Sequence, residues 1–148
     1  MYKHILIPTD GSEAADKALQ AGIEFAREAG AKVTLFTAVP QYLLPSTVEY
    51  LSHSAVSLEE HERRSREKAQ GVLGKALEQA RAAGVECDSD YAQNDRPHQA
   101  ILEACKRHQC DAIFMASHAR TGLAALWHGS ETIEVLTHSD VPTVVYHS

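Results

Sequence analysis

Residues 112–130, AIFMASHARTGLAALWHGS, are the stretch that decides the fold. It opens with four apolar residues, Ala112 to Met115, and then passes into small and polar residues. A short run that is apolar at every position is typical of a parallel strand buried between helices on both faces. Ligands of open parallel sheets bind beyond the carboxyl ends of the strands. The sequence from Ala116 onward is therefore predicted to form a binding loop.

The end of the same stretch predicts a helix that begins at Ser130, directly after Gly129. The first N–H groups of a helix lack intrahelical partners, and the positive end of the helix dipole lies there, so phosphate groups bind at such positions. Glu131 would then lie in the first turn, where its carboxylate competes with a phosphate for the dipole.

Apolar spacing and turn residues predict the remaining elements. The other predicted strands cover residues 5–7, 32–39, 85–92 and 141–146, with the third at a sheet edge because Asp88 and Asp90 interrupt it. The predicted helices run from a capping box at Asp10 and Glu13 to Gly30, from Leu58 to Gly84, and onward from Pro97. Strands that alternate with helices in this order predict a doubly wound parallel sheet. Residues 41–57 show no period and are predicted to be a long functional loop.

Length and composition exclude several classes of protein. A chain of 148 residues is the size of one domain, and its net charge of −6 argues against a nucleic-acid surface. Its three cysteines, Cys87, Cys105 and Cys110, form no C-x-x-C pair, so no disulfide framework is expected. No apolar run approaches the roughly twenty residues that span a bilayer, and we expect a cytoplasmic protein.

In its predicted strands and in residues 112–130, the chain resembles the universal stress protein family. The resemblance runs from Ile5–Asp10 through Ala100–Ala104 to Val141–Val145. ATP-binding members carry Gly, two residues, Gly, nine residues, Gly, then Ser or Thr; the corresponding positions here are Ala116, Ala119, Gly129 and Ser130. The resemblance implies one domain over residues 1–148. It also implies a Rossmann-like α/β fold, a five-stranded parallel sheet of order 3-2-1-4-5 with helices on both faces.

The resemblance also implies a crevice for ATP. Adenine would lie between Pro8-Thr9 and Ala38-Val39, with the ribose near Asp10 and Ala116. The phosphates would lie over Ala119, Gly129 and Ser130. The implied binding residues are Pro8, Thr9, Asp10, Ala38, Val39, Met115, Ala116, His118, Ala119, Arg120, Gly129 and Ser130. An alanine in place of a family glycine costs about 1–2 kcal/mol if the position needs positive φ, and only weakens binding if the glycine serves close approach to phosphate.

Catalytic and metal sites are not predicted. His118, His128 and His138 lack the short spacings that bring metal ligands together, and no nucleophile has a recognisable base. The resemblance therefore implies a stress-response regulator with a crevice for ATP, and the residues themselves predict no efficient enzyme. The alternative is a dimeric interaction module of the same fold without a nucleotide. The resemblance implies a homodimer through the edge strand Val141 to Tyr146.

Overall fold

The computed structural model describes residues 2–41, 57–117 and 123–147, with the backbone alone described for residues 123–130. The strands are β1 (His4–Pro8), β2 (Lys32–Val39), β3 (Cys87–Gln93), β4 (Ala112–Ser117) and β5 (Thr143–His147). The helices are α1 (Glu13–Ala29), α2 (Leu58–Ala82), α3 (Pro97–Arg107) and α4 (Leu123–His138).

All five strands form one parallel sheet in the order β3-β2-β1-β4-β5. This confirms the predicted Rossmann-like class and strand order. The chain winds outward from β1 in both directions, because β1 pairs with β2 on one side and with β4 on the other. The carboxyl ends of β1 and β4 therefore flank the switch point at which such sheets bind ligands.

The core lies on both faces of the sheet, as the apolar strands predict. Ile5 and Ile7 of β1 pack on the face covered by α1 and α2, whereas Leu6 packs with Ile113 on the face covered by α3. The three β1 side chains are fully buried. Each such burial contributes about 1.5–3 kcal/mol, so β1 is anchored from both sides.

The start of α1 corrects the predicted capping box of Asp10 and Glu13. The N-cap is Ser12, whose hydroxyl accepts a hydrogen bond from the backbone N–H of Ala15. The Asp10 carboxylate instead accepts from the N–H of Ser12 at 2.9 Å, which forms a turn before the helix. Asp10 therefore lies outside the helix, closer to the end of β1.

The predicted helix start at Ser130 is wrong, because α4 begins at Leu123. Gly129 and Ser130 lie inside this helix, and its first N–H groups belong to earlier residues. Leucine and alanine, which fill residues 123–126, are among the best helix formers. One internal glycine costs only about 1 kcal/mol, too little to end such a helix.

Other boundaries match more closely. β2 has the predicted bounds, and α2 and α3 begin at the predicted Leu58 and Pro97. β3 is an edge strand as predicted and begins two residues later than expected, as does β5. Most of the predicted loop, residues 42–56, lies outside the described residues.

Candidate functional site

A crevice opens at the switch point, beyond the carboxyl ends of β1, β2 and β4. We call it the switch-point crevice, and it is lined by Pro8, Thr9, Asp10, Ala15, Phe36, Thr37, Ala38, Pro97, Ile101, Met115, Ala116, Glu131 and Thr132. Its empty space, including the open mouth, is about 550 Å³. The crevice brings Pro8, Thr9 and Asp10 at the end of β1 together with Ala116 of β4.

The floor of the crevice is apolar. Phe36 is fully buried, Met115 and Ala116 are each 5% exposed, and Ile101 of α3 adds a further wall. Phe36 and Met115 belong to one core cluster with Ile101, so the floor is a rigid extension of the core. Such a surface suits the flat, largely apolar face of an aromatic ring.

Ala116 lies within β4, in extended backbone. Among the residues that the structure describes, Gln109 is the one residue other than glycine that has a positive φ angle. The alternative in which position 116 requires positive φ is therefore excluded. A methyl group at this position matters only through the space that it fills in the crevice.

Polar groups of the crevice are tied to nearby backbone. The Thr9 N–H donates to the Phe36 carbonyl at 2.8 Å, and the Thr9 hydroxyl accepts from the N–H of Gly11 at 3.3 Å. From the opposite wall, the Thr132 hydroxyl donates to the Ala116 carbonyl at 3.4 Å. These bonds fix the walls of the crevice at both β1 and β4.

Glu131 caps α3 from a different helix. Its carboxylate accepts from the N–H of His98 at 2.6 Å and lies 2.7 Å from the Nδ1 atom of the same residue. Arg96, the N-cap of α3, makes no side-chain hydrogen bond to the helix, which leaves room for an outside acceptor. The prediction that Glu131 lies in the first turn of its own helix is wrong, because α4 begins eight residues earlier at Leu123. Glu131 instead interacts with the amino end of α3.

A second space, the α2 groove, adjoins the crevice. It shares Asp10, Thr37, Ala38 and Pro97 with the crevice. The residues that line only the groove are Val39, Pro40, Lys68, Ala69, Val72, Asn94 and Asp95. The groove measures about 950 Å³ including its open side. The two spaces together form one continuous depression at the carboxyl end of the sheet.

The structure brings together most of the predicted site residues that it describes. Pro8, Thr9, Asp10, Ala38, Met115 and Ala116 line the crevice, and Val39 lines the α2 groove. His118, Ala119 and Arg120 lie outside the described residues, and Gly129 and Ser130 are described as helical backbone. Sequence reasoning missed Phe36, Thr37, Ile101 and Thr132 as lining residues, although the first two directly precede the predicted Ala38.

Metal ligands are not brought together in the described part of the chain, where no group of three or more His, Cys, Asp or Glu residues is placed to hold a metal ion. His138 lies 3.3 Å from the Glu134 carboxylate, one helical turn earlier. No described helix combines the length and the apolar character needed to cross a membrane.

The fold and the crevice define a doubly wound α/β protein with an apolar cleft at its switch point. The chain belongs to the Universal stress protein family, whose family model matches residues 1–147. This confirms the resemblance drawn from the sequence.

Known members of the family are similar over nearly the whole chain. Universal stress protein MJ0531 of Methanocaldococcus jannaschii is 28% identical over 148 residues, which cover 98% of this chain and 82% of the relative. A universal stress protein solved in complex with cAMP matches at 18% identity with a TM-score of 0.73, covering 99% of this chain and 97% of its own. A universal stress protein of Archaeoglobus fulgidus solved in complex with dAMP matches at 18% identity with a TM-score of 0.67, covering 97% of each chain.

Proposed function

We propose that this universal stress protein binds an adenine nucleotide in the switch-point crevice and acts as a stress-response regulator. It would do so in the cytoplasm, as one domain of residues 1–148, and without efficient catalysis. The observation that carries the proposal is the apolar crevice between β1 and β4, with polar groups only at its walls. Two proteins of the same fold were solved with cAMP and with dAMP, which supports the same class of ligand here.

Adenine suits the floor of the crevice by polarity. Small-molecule sites are mostly apolar with a few placed polar groups, and the lining of the crevice has this character. Phe36 and Met115 offer apolar contact to the base. Thr37 lines both the crevice and the α2 groove and is placed to contact a ligand that spans them.

Charge favours a nucleotide with few phosphates. Asp10 and Glu131 both line the crevice, and each added phosphate charge is repelled by these carboxylates. At effective dielectric constants of about 50–80, each repulsion costs about 0.6–1 kcal/mol at separations of about 7 Å. We therefore propose that AMP and cAMP bind at least as tightly as ATP, the nucleotide that the sequence predicts.

Calorimetry on the purified protein tests the proposal. We expect AMP to bind the natural protein, and Ala38→Phe to weaken binding at least about tenfold, because the new ring fills the crevice. Ala82→Phe is the matched control, since Ala82 is exposed at the end of α2 and lines neither space. Absence of AMP, cAMP and ATP binding by the natural protein would contradict the proposal.

A second candidate function, the dimeric interaction module, is favoured by the surface around β5. β5 is the edge of the sheet next to β4, and Val144 and Val145 are only partly buried. On the preceding helix α4, Ile133 is 63% and Leu136 is 50% exposed. An apolar edge strand beside exposed apolar side chains is a typical site of pairing with another chain.

Two charged substitutions test this homodimer. Ile133→Lys with Leu136→Lys should shift the protein from dimer to monomer in sedimentation at low micromolar concentration, because buried unpaired charges are costly at an interface. Leu58→Lys is the control, since Leu58 is equally exposed but lies on α2. A natural protein that sediments as a monomer at high concentration would contradict the dimer. Dimerisation without nucleotide binding would favour the interaction module.

A further inference from the structure

The end of α3 places two cysteines against each other. The helix ends in a left-handed turn at Gln109, with φ of 55°. The N–H of Cys110 donates to the Cys105 carbonyl at 3.0 Å, and the N–H of Gln109 donates to the Lys106 carbonyl at 3.2 Å. These two bonds form a Schellman motif, in which the side chains at the positions of Cys105 and Cys110 frequently touch.

The Cys105 side chain contacts Cys110 as this motif predicts. Its thiol donates a hydrogen bond to the Cys110 carbonyl at 3.6 Å. Both cysteines are free and are 5% and 6% exposed. The pair is therefore held by the backbone turn and by core packing rather than by a flexible loop.

A surface pocket leads to both sulfur-bearing residues. Its lining includes Leu102, Cys105, Cys110, His138 and Val141, and it encloses about 370 Å³ including the open mouth. This opening gives small molecules a route toward the pair, although little of either residue is exposed.

The two thiols are chemically unequal. The neighbouring Cys110 side chain lowers the pKa of Cys105 against the opposing effect of burial. The Cys105 side chain, together with burial, raises the pKa of Cys110. Thiolate is the nucleophilic form of cysteine, so Cys105 is the sulfur that attacks first.

We propose that Cys105 and Cys110 are a modification site that forms a reversible intramolecular disulfide with small peroxides. The Cys105 thiolate attacks one peroxide oxygen, the O–O bond breaks, and the sulfur becomes a sulfenic acid while hydroxide leaves. The Cys110 sulfur then attacks the sulfenic sulfur, the S–O bond breaks, and a second hydroxide leaves. The two thiol protons convert both hydroxides to water, so two thiols are oxidised and one peroxide is reduced.

Substitution of the third cysteine, Cys87, leaves the pair as the remaining thiols for the test. Cys87 lies on the edge strand β3, and burial raises the pKa of its thiol. The variant Cys87→Ser retains only the pair. Lys106 and Arg107 lie between the paired cysteines, so trypsin cleaves inside the loop that a disulfide would close.

The experiment treats folded Cys87→Ser protein with hydrogen peroxide, alkylates the remaining thiols in denaturant and digests with trypsin. We expect two peptides joined through Cys105 and Cys110, lower in mass by two hydrogen atoms than the unlinked pair and separated by dithiothreitol. The double variant Cys87→Ser, Cys110→Ala should give no linked peptide. Full alkylation of both thiols, irreversible oxidation without linkage, or linkage only between two chains on a non-reducing gel would overturn the proposal.

Discussion

Two buried threonines on β2 show how the two ends of the sheet differ. Thr34, fully buried near the amino end, donates to the Asp88 carboxylate at 2.6 Å and lies 2.6 Å from the His4 Nε2 atom. Thr37, 4% exposed near the carboxyl end, makes no hydroxyl hydrogen bond within the described parts of the chain. The amino end satisfies its own polar groups, whereas the carboxyl end leaves a polar group beside the crevice for a ligand.

Next to the amino end, this pairing extends to charged residues in the middle of β3 and at the end of α3. Asp90 accepts from Arg107 and lies 2.8 Å from the His108 Nε2 atom. Asp111, which precedes β4, accepts from the backbone N–H groups of Lys3 and His4 and so joins the starts of β1 and β4. The comparison assigns stability to the amino end and ligand binding to the carboxyl end.

Removal of the Thr34 hydroxyl should have the largest effect on stability. Thr34→Val keeps the shape of the side chain but leaves the Asp88 and His4 groups without their shared partner, which should lower the free energy of unfolding by about 1–3 kcal/mol. Thr37→Val is the matched control, and we expect it to change stability by less than about 0.5 kcal/mol. Urea unfolding measures both. Equal losses in the two variants would remove the distinction between the ends.

Acid should lower the stability of the protein through Asp90. Burial raises the pKa of Asp90, but hydrogen bonds from His108 and Arg107 outweigh it and hold the pKa below its usual range. The unfolded state then binds more protons, so this stabilisation is present above about pH 4 and is lost as pH falls through the folded pKa. Urea midpoints between about pH 5 and pH 2.5 should fall less in Asp90→Asn than in the natural protein. If the urea midpoint falls equally with pH in both proteins, Asp90 has no part in acid unfolding.

Glu131 gives the smallest and most specific effect. Glu131→Gln removes a negative charge from the crevice and keeps an oxygen that accepts from the His98 N–H. We expect AMP to bind about two- to fivefold more tightly, because repulsion between the carboxylate and phosphate is lost. Calorimetry with uncharged adenosine is the control, and its affinity should stay the same. If the variant binds adenosine more tightly by the same factor, the effect comes from a change in the shape of the crevice rather than from its charge.

The sequence predicts local features of this molecule better than distant pairings. Ile5–Ile7 and Ala112–Met115 predict buried strands because their burial is set by their own apolar side chains, and the ends of these strands locate Pro8 and Thr9 at the crevice. The bond between Glu131 and His98 joins two helices that are far apart in sequence, so no local pattern contains it. Sequence reasoning misplaces the start of α4, because it gives Gly129 more weight than the helix propensity of the residues before it.

Amide hydrogen exchange with and without AMP tests the division between the two ends most directly. Bound nucleotide should slow exchange in peptides covering residues 9–12, 36–39 and 131–133, each of which contains residues that line the crevice. Residues 86–88 and 108–112, at the amino end, should exchange at the same rate in both states. Slowed exchange at the amino end, or no change at the crevice under conditions that saturate AMP binding, would contradict this account.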